Sequence, residues 1–168
     1  THTLHGGSDG SAVRNWKIVQ YKKSMVTFLD KLPDGHMGFP GNLTVETTYK
    51  VAQSTIDIII EASTDKTTLC NFTNHSYFNL DGTKNIANHQ LMVECDKVLP
   101  VDENGIPISG PIFAKDLDLD FKTGRTLNNN GKPIEVDHNF CISNTRQNLR
   151  RNASVSYTHL TLPTNSGV

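Results

Sequence analysis

Several large protein classes are excluded by what this chain lacks. No apolar run approaches the roughly 20 residues that a membrane-spanning helix needs, so no membrane partner is expected. Neither sign of charge dominates: 16 Lys and Arg stand against 17 Asp and Glu, for a formal net charge of −1. Basic residues are adjacent only at Lys22-Lys23 and Arg150-Arg151, whereas a reader of phosphate backbones concentrates them. No nucleic-acid partner is therefore expected. Cysteine is scarce, with Cys70, Cys95 and Cys141 far apart, odd in number and never in a Cys-x-x-Cys pair. That is a poor disulfide framework and a poor zinc site, and reduced thiols in a cytoplasmic protein are the simplest reading. No charged segment followed by an apolar stretch opens the chain, so a secretory leader is not expected. The first residue is Thr1 rather than methionine, which points to a missing N-terminus. Without a leader, the acceptor patterns at Asn42, Asn71, Asn74 and Asn152 read as chance matches in a Thr- and Asn-rich sequence.

Helical periodicity, heptads and internal repeats are missing as well. Short runs with a period near two are present instead. Trp16–Tyr21 and Ser24–Leu29 flank the polar Lys22-Lys23 turn. Leu43, Val45, Thr47, Tyr49 and Val51 alternate with polar residues as a half-buried strand does, and Ile56, Ile58 and Ile60 follow. β-branched residues dominate both runs, as a pleated surface favours. A further strand is expected through Phe72, and another at Leu91–Glu94. Pro33-Asp34-Gly35, Asp81-Gly82, Asn104-Gly105, Ser109-Gly110-Pro111 and Asn128–Gly131 punctuate the chain. A length of 168 residues suits one domain, and short strands between turn signals predict an all-β sandwich or barrel. His36 is expected to be solvated in its turn, and His89 to lie at the surface or to brace a turn.

Asp116-Leu117-Asp118-Leu119-Asp120 has the opening spacing of a calcium loop. Such a loop needs glycine at its sixth position and glutamate at its twelfth, where Phe121 and Leu127 stand. The segment is read as an exposed edge or loop, and no metal is expected.

The densest chemistry lies in Thr73-Asn74-His75-Ser76-Tyr77-Phe78-Asn79-Leu80, directly after Leu69-Cys70-Asn71-Phe72. A polar side chain among rings is costly unless something hydrogen-bonds to it. His75 is therefore either satisfied inside a core or faces a polar ligand, and periodicity alone favours the core. The octet as a whole resembles the signature of the aldose 1-epimerases, the galactose mutarotases. Leu4-His5-Gly6-Gly7 upstream, the Gly38–Leu43 corner, Val98–Asp102 and Asp137-His138-Asn139-Phe140 are similar to other motifs of that family. Glu135 and Val136 depart from the glycine and aromatic that usually precede the last motif.

The resemblance implies an antiparallel β-sandwich, incomplete at both ends, that interconverts the α and β anomers of hexoses such as galactose and glucose. It implies His75 as the general acid at the ring oxygen, His5 and Asp137 as holders of sugar hydroxyls, and Tyr77 in the pocket wall. Neither metal nor cofactor is implied, and the full-length protein is expected to be a monomer or weak dimer. The family's general base, a glutamate in a later strand, has no match here, nor has an Asn-Arg pair upstream of the His5 motif. The chain is therefore expected to be an inactive fragment of a mutarotase. Its rivals are a non-catalytic sugar-binding module and a purely structural fragment. A hexose-6-phosphate epimerase would need a cationic phosphate site, and no Arg/Lys cluster marks one. The domain is placed at residues 1–151. Residues 152–168, His159 included, resemble a translated sequencing-adapter tail and are set apart from the fold.

Overall fold

The computed structural model describes residues 3–157, so His159 and most of the anticipated tail lie outside the described residues. The chain forms two compact units, the first ending at Ser76 and the second beginning at Tyr77.

The first unit is built on a four-stranded antiparallel sheet in chain order: β1 (Lys17–Lys22), β2 (Met25–Leu32), β3 (Leu43–Ala52) and β4 (Thr55–Thr64). Its register sets Val45 across from Asp30 on one side and Ala62 on the other, so these share a face with Phe28, Thr47, Tyr49 and Ile58. That face carries the buried Leu43, Val45, Thr47 and Asp30, and Phe28 meets Tyr49 edge-on at 6.1 Å. The period-two runs thus form strands, but only in the middle of the sheet are they buried. β1 is exposed throughout, and Ile56 and Ile58 of β4 remain largely exposed.

The N-terminal segment braces the buried face through polar side chains. Buried Asp30 accepts from Ser11 Oγ at 2.8 Å and from Arg14 Nε at 3.1 Å. Arg14 also reaches Asp9 at 3.1 Å, and Trp16 Nε1 donates to the Ser11 carbonyl at 2.8 Å. A buried carboxylate requires partners of this kind. The hydrogen bond to Asp30 leads the effects that raise the Arg14 pKa above its ordinary value.

The β2–β3 connection is a tight corner. Gly41 has φ +86°, and a Cβ there would lie 2.6 Å from Thr64 Oγ1, so the position is restricted to glycine. Asp34 accepts from the Gly41 amide at 2.6 Å and from Lys66, while Asp65 accepts from the Asn42 amide and carboxamide at 2.7 and 2.6 Å. His36 is not solvated as expected. Its Nε2 lies 2.8 Å from the Asp9 carbonyl and joins this corner to the N-terminal segment.

The second unit contains a three-stranded antiparallel sheet, ordered β11 (Ala153–Ser156), β5 (Gln90–Val93), β8 (Arg125–Thr126). Beside it are two short pairs, β6 (Lys97–Val98) with β7 (Ile112–Phe113) and β9 (Asn128–Asn129) with β10 (Lys132–Pro133). Asn130 and Gly131 both have positive φ between β9 and β10, the geometry of a type I′ hairpin. Val93, Cys95, Val98, Ala114, Leu119, Phe121 and Leu127 form the core, with Phe140 edge-on to Phe121 at 6.1 Å. The Asp116–Asp120 alternation enters a 3-10 turn, Ala114–Leu117, and turns Leu119 and Phe121 inward. Arg125 lies over the Phe121 ring and grips Asp118 at 2.7 Å, which holds the Asp118 carboxyl below its usual range.

Candidate active site

Leu4-His5-Gly6-Gly7 folds into a turn in which His5, Gly6 and Gly7 all have positive φ, and the Gly7 amide donates to the Leu4 carbonyl at 2.9 Å. A histidine in the left-handed region is uncommon. Gly10 closes the turn, its amide donating to the Gly7 carbonyl at 3.1 Å. A Cβ on Gly10 would lie 2.2 Å from the His5 carbonyl oxygen. Sequence reasoning missed Gly10, although a third glycine within four residues of Gly6-Gly7 was the available signal.

The strand expected through Phe72 is absent. Residues 67–80 have no regular secondary structure, and side chains do the holding that a ladder would have done. Asn74 Nδ2 donates to the Tyr49 hydroxyl at 3.1 Å, which fastens the segment over the sheet face, and Asn74 Oδ1 accepts from the Ser76 amide at 3.1 Å. Asparagine bonding its own backbone two residues on offers the chain an alternative to pairing. His75 consequently stands clear of a sealed core. It is exposed, and its ring meets that of His5, also exposed, edge-on at 5.2 Å and 84°. Two of the four anticipated site residues are thus brought together. Tyr77 and Asp137 belong to the second unit, and each is exposed there, Tyr77 to 89%.

Beyond Tyr77 the octet ends on an anchored residue. Its last amide, that of Leu80, donates to His89 Nε2 at 3.1 Å. His89 is 2% exposed and braces a turn rather than lying at the surface. Asn139 and Cys141, which flank Phe140, bond back to β6 and the residue after it: the Leu99 amide donates to the Asn139 carbonyl at 3.0 Å and the Cys141 amide to the Lys97 carbonyl at 2.8 Å. Burial pushes the Cys95 thiol pKa up, and Cys70, Cys95 and Cys141 are all free thiols. Among the described residues no group of three or more His, Cys, Asp or Glu side chains is placed to hold a metal ion. Nor is any helix there long and apolar enough to cross a membrane.

The family model for aldose 1-epimerase matches residues 1–165. The chain belongs to the aldose 1-epimerase family. It is 40% identical to an aldose 1-epimerase of Escherichia coli over 126 residues, which are 74% of this chain and 36% of that protein. It is 34% identical to a mouse galactose mutarotase over 162 residues, covering 87% of this chain and 44% of the mouse protein. An aldose epimerase homologue from C. elegans, 30% identical, superposes with a TM-score of 0.81 over 94% of this chain and 49% of its own. A galactose 1-epimerase from Lactobacillus acidophilus, 26% identical, gives 0.74 over 91% and 48%. The fold is therefore the all-β, sandwich-like fold of the aldose epimerases, as the sequence predicts. The chain spans less than half the length of each of these relatives.

Proposed function

We propose that the chain carries the acid side of an aldose mutarotase site, with hexoses such as galactose and glucose as substrates. Ring opening removes a proton from the anomeric hydroxyl, breaks the bond from the anomeric carbon to the ring oxygen and protonates that oxygen. Rotation of the freed aldehyde and reclosure then give the other anomer. Neither oxygen ionises readily near neutrality, so a placed acid and base are required. His75 is the acid at the ring oxygen, an imidazole being easily tuned between charge states near pH 7. His5 and Asp137 hold hydroxyls, and Tyr77 lines the pocket. Proton transfer alone accounts for the reaction, so the reading calls for no metal or nucleotide. The approach of two exposed imidazoles to 5.2 Å, one held by a glycine turn and the other by Asn74, is the observation that carries this reading.

No glutamate of these 168 residues matches the family's base, so the chain alone is expected to turn over sugar slowly or not at all. The full-length protein should speed the optical-rotation change of freshly dissolved α-galactose or α-glucose. His75→Ala in that protein should lower kcat by about 10²–10⁴ with sugar affinity kept within a few-fold. Loss of affinity with kcat retained would make His75 a binding residue and not the acid, and sugar binding without any acceleration by the unaltered protein would end the proposal in favour of a sugar-binding module.

A further inference from the structure

A backbone amide has only a proton to offer, so the bond from Leu80 N–H to His89 Nε2 at 3.1 Å fixes that nitrogen as an acceptor. The ring proton then sits on Nδ1, which faces Asp81 Oδ2 at 3.8 Å. An ion-pair reading of the same contact would need a second proton on Nε2, leaving the Leu80 amide without its acceptor. The neutral Nδ1–H form leaves Nε2 free to accept from Leu80 and turns the single ring proton toward the Asp81 carboxylate, a contact longer than a hydrogen bond. Both side chains are almost completely buried, and the pair is further fixed on each side. Asp81 Oδ1 accepts from the Thr83 amide and hydroxyl at 2.9 and 2.7 Å, while the Tyr157 ring lies 5.8 Å from the His89 ring. The backbone of His89 is tied as well, its amide donating to the Ile86 carbonyl at 3.0 Å and its carbonyl accepting from the Leu127 amide at 2.8 Å. His89 therefore links the core-facing β8–β9 region to the last residue of the octet, a stretch with no strand ladder of its own.

We propose that His89 is a positioning residue: as a neutral Nδ1–H imidazole set against Asp81, it anchors the Leu80 amide and so fixes the Tyr77–Leu80 half of the octet at the sugar site. The anchoring stands on geometry alone, and only its consequence for sugar rests on the function proposed above. Tyr77 is three residues from the fixed amide, too close for its ring to settle independently of where Leu80 is held.

The test uses the full 168-residue chain, isotope-labelled, with galactose as the probe. Long-range proton–nitrogen spectra at pH 7.5 should show His89 as the Nδ1–H tautomer. Exchange of the Leu80 amide should accelerate at least tenfold in His89→Leu and return to within about threefold of the original in His89→Gln, whose carboxamide oxygen can accept in place of Nε2. Asp81→Asn, which offers both a donor and an acceptor to Nδ1, should give a tautomer mixture and an intermediate rate; it keeps the question decidable if His89→Leu does not fold. Galactose-induced shifts of the Tyr77 ring should weaken in His89→Leu and recover in His89→Gln. An Nε2–H tautomer, or Leu80 exchange indifferent to all three substitutions, overturns the anchoring. Anchoring intact with galactose shifts unchanged in His89→Leu overturns the positioning role. If the unaltered chain shows no galactose shifts, the sugar-site reading fails for this chain, and the role at the sugar fails with it, while the exchange data still decide the anchoring.

Discussion

At the residue scale, the site depends on small residues as much as on the histidines. Gly10 is buried and takes an ordinary φ, so alanine there is not a matter of backbone strain. The obstacle is steric, because the new methyl would sit 2.2 Å from the His5 carbonyl oxygen and 3.1 Å from the Gly7 carbonyl oxygen. Both are backbone atoms and cannot rotate away, so the turn must open and carry the His5 ring from His75. Gly10→Ala should cost about 1–3 kcal/mol of stability and abolish the His5–His75 ring contact. The chemical-shift effect of His5→Ala on the His75 ring signals gives the measure: a large effect in the original chain, little in the Gly10→Ala background. An undisturbed effect there would show that the turn absorbs the methyl. The histidines themselves were legible because His5 and His75 lie in specific motifs. Gly10, Asn74 with Tyr49, and the His36–Asp9 contact were not, because each depends on a partner whose position only the fold reveals.

At the element scale, periodicity identified β1 to β4 but said nothing about how deeply each is buried. Period two reports which side chains share a face and not whether anything covers it, so Ile56 looks the same in sequence as Val45. The stretch around His75 failed as a strand for another reason: a run rich in Asn, Ser and Thr can satisfy its backbone locally, as Asn74 and Ser76 do. The C-terminal segment raises the opposite question, since residues 152–168 resemble a sequencing-adapter tail yet β11 within them pairs with β5 from Ala153↔Val93 to Ser156↔Gln90. All four residues of β11 are exposed, and the core cluster takes no side chain from it. Among the described residues, ending the chain at Arg151 keeps the contacts of Arg150 and Arg151 with Glu94 and removes the edge hydrogen bonds to β5 together with the Tyr157 ring beside His89. Those bonds roughly offset the entropy of ordering the strand, so the truncated chain should lose no more than about 1–2 kcal/mol. Its bared β5 edge should instead raise aggregation, visible by light scattering at matched concentration. Collapse of the Phe121 core signals on truncation would make β11 an integral element.

At the scale of the whole molecule, each unit carries its own charged clamps, and these set a pH window for stability. In the first, Asp34 is held below its ordinary pKa of 3.8, chiefly by its hydrogen bond with Lys66, and Asp65 is held down by Asn42. In the second, Asp118 is lowered by Arg125. A carboxylate whose folded pKa is depressed contributes stability that is fully present above the unfolded value and is lost as pH falls through the folded one. Lys66 and Lys122 are raised from 10.5, each chiefly by a hydrogen bond to an aspartate, so their contribution is present below that value and is lost as pH rises through the folded one. The urea midpoint should therefore be level from about pH 5 to 9 and fall on both flanks. All of these groups are at the surface, so the effect is screened and should shrink in 1 M salt, where the Debye length is about 3 Å. The double variant Asp34→Asn, Asp118→Asn should lie lower on the plateau and lose less on acidification, because two of the three carboxylates that drive the acid limb no longer titrate. An acid limb of unchanged steepness in that variant would mean that the clamps seen at the Gly41 corner and beside Phe121 do not govern the response to acid.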